Sequence, residues 1–211
     1  MGDCCHNKEK DLAKTASEHK SVLWTVLIIN LVMFFVELAS GWISNSMALV
    51  GDSLDMLGDA ITYGSSILVV GLGVQEKVRV ARLKATIMLV FGLVISGRCI
   101  YRGLNPVVPE FDVMLFIGAL ALAMNLICLF LLTRHRDDDI NMRSVWICSR
   151  NDIIANTSVL AAASAVYFLA SPYPDLIVGV GLAFLFTKSS IKIFREAGQA
   201  VGQIDEIEAR T

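Results

Sequence analysis

The chain has 211 residues, 55% of them hydrophobic, with a net charge of −2 and a mean hydropathy of +0.62. This composition is too apolar for an ordinary soluble domain, and several apolar runs reach the about 18–20 residues that a helix needs to cross a bilayer. The net charge does not indicate nucleic-acid binding, and no Gly-rich phosphate loop, basic stripe or Ser/His/Asp set is evident.

The first predicted element after a polar segment is a membrane span. Residues 1–20 are expected to form a cytoplasmic tail; its Cys4-Cys5-His6 run could chelate a soft metal, although a solvated tail is the favoured interpretation. Span 1 covers roughly residues 22–43 and carries Asn30 and Glu37, seven residues apart and therefore on one helical face. We interpret both as structural or proton-handling groups rather than as metal ligands.

Span 2, about residues 46–72, contains the most unusual stretch of the chain. Asp52, Asp55 and Asp59 follow the spacing i, i+3, i+7, which places three carboxylates on one face of a helix. A lipid-exposed ion costs at least about 2.5–3.5 kcal/mol, so this face must meet protein, water or a cation. The stripe is interpreted as half of a metal-ion site, with Asp52 as a second-rank candidate that either receives the ion or serves as a hydrogen-bonding partner.

Four more spans are predicted, which gives an all-α membrane protein of six transmembrane helices. A charged link precedes span 3 and a second one precedes span 5, and the approximate ranges of spans 3 to 6 are 85–100, 113–133, 144–170 and 176–194. Lys and Arg cluster after spans 2, 4 and 6, so the positive-inside rule puts both termini in the cytoplasm. The expected division is a tail over 1–20, a membrane domain over 21–196 and a short cytoplasmic tail over 197–211.

Span 5 holds the second concentration of polar residues. Asn151, Asp152 and Asn156 lie within it, and Cys148 stands one turn before Asp152. Two helices that each offer two donors at i, i+4 can build a roughly tetrahedral site, which suits zinc; an all-oxygen set would favour manganese or magnesium. Three carboxylates overcompensate a divalent cation, so the empty site is expected to take up protons, which is the physical basis of metal/proton exchange.

The stretches Asn30 to Gly41 and Asn45 to Asp59 resemble the first two helices of the cation diffusion facilitator family. The resemblance covers roughly residues 22–196 and implies a six-helix, usually dimeric exporter of zinc and related divalent ions. Members typically place a His-or-Asp-xxx-Asp pair on helix 2 and another on helix 5. Asp55 and Asp59 match the first pair, and the resemblance places Asp152 on the ligand Asp of the second.

Three departures from the family pattern matter. Cys148 stands at the usual histidine position, where it is either a soft fourth ligand or a small core residue whose place is filled by Asn151, Asn156 or water. The loop before span 5 holds His135 and residues 137–139, all aspartates, but no His-rich run, and a solvated charge run is the favoured interpretation. The family's cytosolic metal-binding and dimerising domain is missing after span 6, so a homodimer is expected to form through transmembrane helices.

The sequence therefore predicts a divalent-cation exporter in a prokaryotic plasma (inner) membrane, rather than an enzyme. The expected cargo is zinc, with manganese, cadmium, cobalt or iron as other candidates, bound between helices 2 and 5 and exchanged for protons. Two alternatives stay open. One is a metal sensor or partner protein that does not transport. The other is an intramembrane aspartyl protease with Asp55 and Asp152 as its dyad, although no Gly-x-Gly-Asp motif is present.

Overall fold

Over the residues that it describes, the computed structural model contains six α-helices. The helices are α1 (Gly2–Ile43), α2 (Met47–Val69), α3 (Val74–Leu104), α4 (Phe111–Thr133), α5 (Ile140–Leu169) and α6 (Tyr173–Glu208). The structure describes residues 2–69, 74–135 and 140–208. Within these ranges only the backbone is described for 2–19, 66, 68, 69, 74–77, 84, 140–145, 147, 148, 151, 196–198 and 200–208.

The six predicted spans correspond to the six helices. Five helices contain stretches long and apolar enough to cross a bilayer: Lys20–Ile43, Val78–Leu104, Phe111–Thr133, Asp152–Leu169 and Tyr173–Arg195. The remaining helix, α2, has 23 residues and a length of about 35 Å, which also suffices for a bilayer. It differs from those five in that every 18-residue stretch of it carries the three aspartates Asp52, Asp55 and Asp59. The protein is an integral, multi-pass, all-α membrane protein.

Three helices are longer than the spans predicted from hydropathy. α1 and α6 continue through the segments expected to be tails, and α3 includes most of the charged link that was expected before span 3. For α1 and α3 the reason is intrinsic propensity: residues 8–20 and 75–84 are rich in Lys, Glu, Arg and Ala and contain neither Gly nor Pro. A helix can therefore continue into water after its apolar part has ended, and the division into tails and membrane domain stays a prediction.

The distribution of polar and apolar side chains is the reverse of that in a soluble protein. Large apolar residues face outward; Phe116, Phe130 and Phe168 are each more than 70% exposed. Carboxyl and amide side chains face inward, and Glu37 and Asp52 are completely buried. Such a surface is stable only when a lipid environment covers it, since soluble proteins rarely expose large contiguous apolar patches.

α2 is the central helix of the bundle because it contacts each of the other five helices. Its residues from Met47 to Leu54 are all buried, so no face of this half meets lipid. Close approach depends on small residues: a Cβ on Gly41 of α1 would lie 2.9 Å from Leu49 and Val50 of α2. The central position explains how a helix with three aspartates can exist at membrane depth.

Hydrogen bonds from two other parts of the chain fix the turn between α1 and α2, Ser44 to Ser46. Asn45 adopts the left-handed conformation with φ of 62°, and its side-chain oxygen accepts a hydrogen bond from the Arg102 guanidinium on α3. The backbone N–H of Glu110 donates to the Ser44 carbonyl at 3.1 Å. These bonds connect the turn to α3 and to the segment before α4, which sets where α2 begins.

Gly179 of α6 is predicted to be required for the contact between α6 and α2. A Cβ at this position would lie 2.6 Å from the carbonyl carbon and oxygen of Met47, and backbone atoms cannot move aside as a flexible side chain would. We expect Gly179→Ala to lower the free energy of unfolding by about 1–3 kcal/mol, measured by thermal melting in detergent.

Gly181→Ala is the matched control for that substitution. It lies two residues further along α6, and no described side chain or neighbouring helix comes within 4 Å of where its added methyl group would stand. Alanine there should therefore be neutral or slightly stabilising, because it is the better helix former. Equal melting temperatures for the two variants would contradict the close packing of α6 on the start of α2.

Candidate metal centre

Three aspartates from two helices meet where α2 packs against α5. Asp55 and Asp59 lie one turn apart on α2, and the Asp152 side chain of α5 is within hydrogen-bonding range of both. Asp59 and Asp152 are buried and Asp55 is partly exposed. Ionised carboxylates only accept hydrogen bonds and repel one another, so carboxyl groups at this proximity favour the binding of protons or of a cation. The arrangement can hold protons or, in their place, a cation.

The three aspartates line one cavity of about 580 Å³ between α2, α5 and α6. Its wall is mainly apolar, and the hydroxyl residues among its lining side chains are Thr62, Ser158 and Ser189. Arg150, which precedes the site on α5, is exposed, and its guanidinium lies 5.4 Å from the Trp146 ring centroid. The carboxyl groups of Asp55, Asp59 and Asp152 are thus the charged groups among the residues that line the cavity.

The side chains that complete the predicted ligand set are only partly described. Cys148 and Asn151 lie in helix α5, but their side chains are outside the described part of the structure, so their predicted roles are unchanged. Among the described residues, no three His, Cys, Asp or Glu side chains are already arranged as a metal-binding group. The Cys4-Cys5-His6 side chains and residues 137–139 also fall outside the described part.

Asn156 lies one turn after Asp152 and is completely buried. Its Nδ2 donates to the Asp152 carbonyl at 3.0 Å, and its Oδ1 has no hydrogen-bond partner among the described residues. Asn30 of α1 is similar: its Nδ2 donates to the Val26 carbonyl at 2.8 Å and approaches Cys128 Sγ at 3.8 Å. Both amides are therefore anchored to their own helix through the nitrogen.

Glu37 and Asp52 form a second pair of carboxyl groups, between α1 and α2. Both are fully buried and interact electrostatically with each other, and Asp55 also acts on each of them. None of their four carboxyl oxygens has a hydrogen-bond partner among the described side chains, and neither residue lines the cavity. This pair extends the line of acidic groups from the cavity toward the α1–α2 turn.

Two contacts of this region were not anticipated from the sequence. The Tyr63 hydroxyl donates a hydrogen bond of 2.6 Å to Asp59 Oδ2; the i, i+4 spacing on α2 is the signal that could have indicated it. Asp175 of α6 accepts hydrogen bonds from the Ser46 hydroxyl and from the backbone N–H groups of Met47 and Ala48, at 2.6–2.9 Å. It caps the N-terminus of α2 from another helix.

Comparison with known proteins identifies the architecture. The sequence profile of the cation efflux transmembrane domain matches residues 23–200, which is most of the chain. This chain belongs to the cation diffusion facilitator family. The family resemblance predicted over roughly residues 22–196 is thereby confirmed.

Several members of this family are similar to the chain. A cadmium, cobalt and zinc/H(+)-K(+) antiporter of Bacillus subtilis is 21% identical over 82% of this chain and 61% of its own length. The zinc transporter ZitB of Yersinia pestis is 23% identical over 86% and 62%. The probable proton-coupled zinc antiporter SLC30A4 of Homo sapiens is 22% identical over 86% and 53%. The chain thus spans between about half and three-fifths of these relatives' lengths.

Proposed function

We propose that this protein moves a divalent metal cation out of the cytosol in exchange for protons. The ion would be bound by Asp55, Asp59 and Asp152, with Cys148 as the fourth ligand. The observation that carries the proposal is the meeting of three carboxyl groups from α2 and α5 in one cavity of a membrane bundle. Carboxyl groups are energetically costly at membrane depth, and they occur there chiefly where they bind or carry ions.

Proton coupling follows from the charge of the site. Three ionised carboxylates carry more negative charge than one divalent cation neutralises, and the Asp152 carboxyl group lies close to those of Asp55 and Asp59. Incoming metal must displace the protons that the empty site holds, because metal ligands bind in their deprotonated form. Protons that return from the other side would then expel the ion.

The proposed cargo is zinc. Carboxylate and thiolate donors together suit zinc or cadmium, and the names of the related antiporters include zinc, cadmium and cobalt. If Cys148 does not coordinate, the set becomes all-oxygen and favours manganese, with iron as a further candidate. An all-oxygen set also suits magnesium, which prefers oxygen ligands most strongly among these ions.

The cellular arrangement is also part of the proposal. We propose that both termini lie in the cytoplasm, which the basic residues after spans 2, 4 and 6 favour, and that the membrane is the plasma membrane of a prokaryotic cell. We propose a homodimer that forms through transmembrane helices in contact with lipid. Chemical crosslinking in native membranes, which would yield a covalent dimer, tests this assembly.

Family membership favours transport over the aspartyl protease hypothesis. A protease dyad needs two carboxyl groups, Asp55 and Asp152, and gives no role to Asp59, whose side chain takes part in the same contacts. A sensor that does not transport would bind metal without moving it. Flux of zinc into liposomes that contain this chain alone would exclude a sensor.

The test is metal-dependent proton release from purified wild type. Addition of zinc in weakly buffered detergent solution should acidify the medium, and the apparent dissociation constant for zinc should rise as pH falls, by about tenfold per pH unit for each proton displaced. The same titration with magnesium, manganese, cadmium and cobalt identifies the preferred ion. Its repetition with Cys148→Ala identifies the role of the thiol. Zinc binding that is independent of pH and releases no proton would contradict the exchange mechanism.

A further inference from the structure

The Tyr63 hydroxyl is hydrogen-bonded to one carboxyl oxygen of Asp59, a proposed metal ligand. It donates a hydrogen bond of 2.6 Å to Asp59 Oδ2, and the residue is completely buried. Tyr63 is not among the residues that line the cavity, so its hydroxyl approaches Asp59 from the protein side. The Asp59 carboxyl group therefore lies between a fixed donor and Asp152.

The Tyr63 ring is held in place by two neighbouring helices. It packs in an apolar cluster with Leu23 and Val26 of α1 and with Cys128 and Leu132 of α4. A buried aromatic ring of this kind has little freedom to follow a moving carboxylate, because protein interiors are close-packed. The position of the hydroxyl is thus determined by α1 and α4, not by the occupant of the cavity.

We propose that Tyr63 positions Asp59 to bind the metal through one oxygen and thereby favours ions of low coordination number. The proposal rests on Asp59 being a ligand, as proposed above. Bidentate binding by Asp59 would draw Oδ2 to the metal and break or lengthen its bond to the tyrosine hydroxyl. Carboxylates that bind metal are commonly oriented by such hydrogen bonds, and loss of the partner typically costs about 10–100-fold in affinity.

The consequence is discrimination between ions. Zinc accepts four ligands in a tetrahedron, which one-oxygen carboxylates supply, whereas manganese prefers an octahedral set of oxygen ligands. With the hydroxyl in place, Asp59 contributes a single donor and the site stays small. Without the hydroxyl, Asp59 can rotate and contribute both oxygens. The additional donor weakens zinc binding and strengthens manganese binding relative to that of zinc.

The experiment compares zinc and manganese binding by wild type, Tyr63→Phe and Tyr167→Phe with the full-length chain in detergent. We expect Tyr63→Phe to weaken zinc binding about 10–100-fold, with a smaller change for manganese, so that the zinc/manganese affinity ratio falls. Tyr167 is an exposed residue of α5 that packs on Phe111, so Tyr167→Phe should leave the ratio unchanged. A merely structural role for Tyr63 would lower both affinities together.

A second measurement does not depend on the folding of a variant. Infrared difference spectra of wild type with carboxyl-labelled aspartate should show only one-oxygen carboxylate modes when zinc binds, because a tetrahedral site takes one oxygen from each aspartate, and a two-oxygen mode would overturn the proposal. Asp59→Asn separates the two hypotheses. If that variant binds zinc like wild type, the ligand assignment fails; if it loses zinc while Tyr63→Phe keeps the wild-type ratio, the positioning role alone fails.

Discussion

Asp152→Asn is expected to reduce zinc flux into proteoliposomes by about 30-fold or more, because it removes the only carboxylate that α5 contributes to the described site. Asparagine keeps the shape and one carbonyl oxygen but loses the negative charge and the site for a proton. Loss of one member of a buried, hydrogen-bonded charged group typically costs about 2–5 kcal/mol, and each 1.4 kcal/mol is about tenfold. Flux is measured with a zinc-sensitive dye trapped inside the vesicles.

Asp112→Asn is the control for this substitution. Asp112 lies in the first turn of α4 and is exposed, so the same chemical change there should leave flux near the wild-type rate. Asp55→Asn and Asp59→Asn should resemble Asp152→Asn if the three carboxylates act as one site. Normal flux through Asp152→Asn in correctly folded protein would show that α5 does not supply a ligand.

Asp175→Ala is expected to destabilise the protein by about 3 kcal/mol or more. Asp175 is buried and accepts hydrogen bonds from Met47 N, Ala48 N and Ser46 Oγ, and the serine oxygen in turn accepts from Leu49 N at 3.1 Å. Hydrogen bonds to a charged group contribute about 1.5–3 kcal/mol each, although not additively. For a chain of this size, the expected fall in melting temperature is about 6–12 °C.

The stability of Asp175→Asn should lie between those of wild type and Asp175→Ala, since an amide retains one acceptor oxygen. Asp112→Ala provides the exposed control and should melt close to wild type. Thermal unfolding in detergent, followed by circular dichroism, makes the comparison. A melting temperature of Asp175→Ala equal to that of wild type would mean that the α2 N-terminus does not depend on this cap.

Elements whose evidence is local could be predicted from the sequence. The apolar runs alone indicated six helices, because a bilayer sets a minimum length for a continuous apolar segment. The spacing of Asp52, Asp55 and Asp59 placed them on one helical face, since helix geometry depends only on neighbours within a turn or two. The helix ends were predicted less well, because α1, α3 and α6 continue beyond their apolar parts, which in α1 and α3 follows from the helix propensity of the polar residues there.

Contacts between distant residues required the tertiary structure. The helix spacing and the family resemblance predicted one site from Asp55, Asp59 and Asp152; the packing of α5 on α2 gives these residues a common cavity and leaves Asp52 apart from it, beside Glu37. The cap from Asp175 to Met47 closes a separation of 128 residues that no local pattern encodes. The high cost of charge in lipid requires that these polar groups be buried, and this follows from the sequence. The packing of the helix surfaces against one another decides which of the buried groups come into contact.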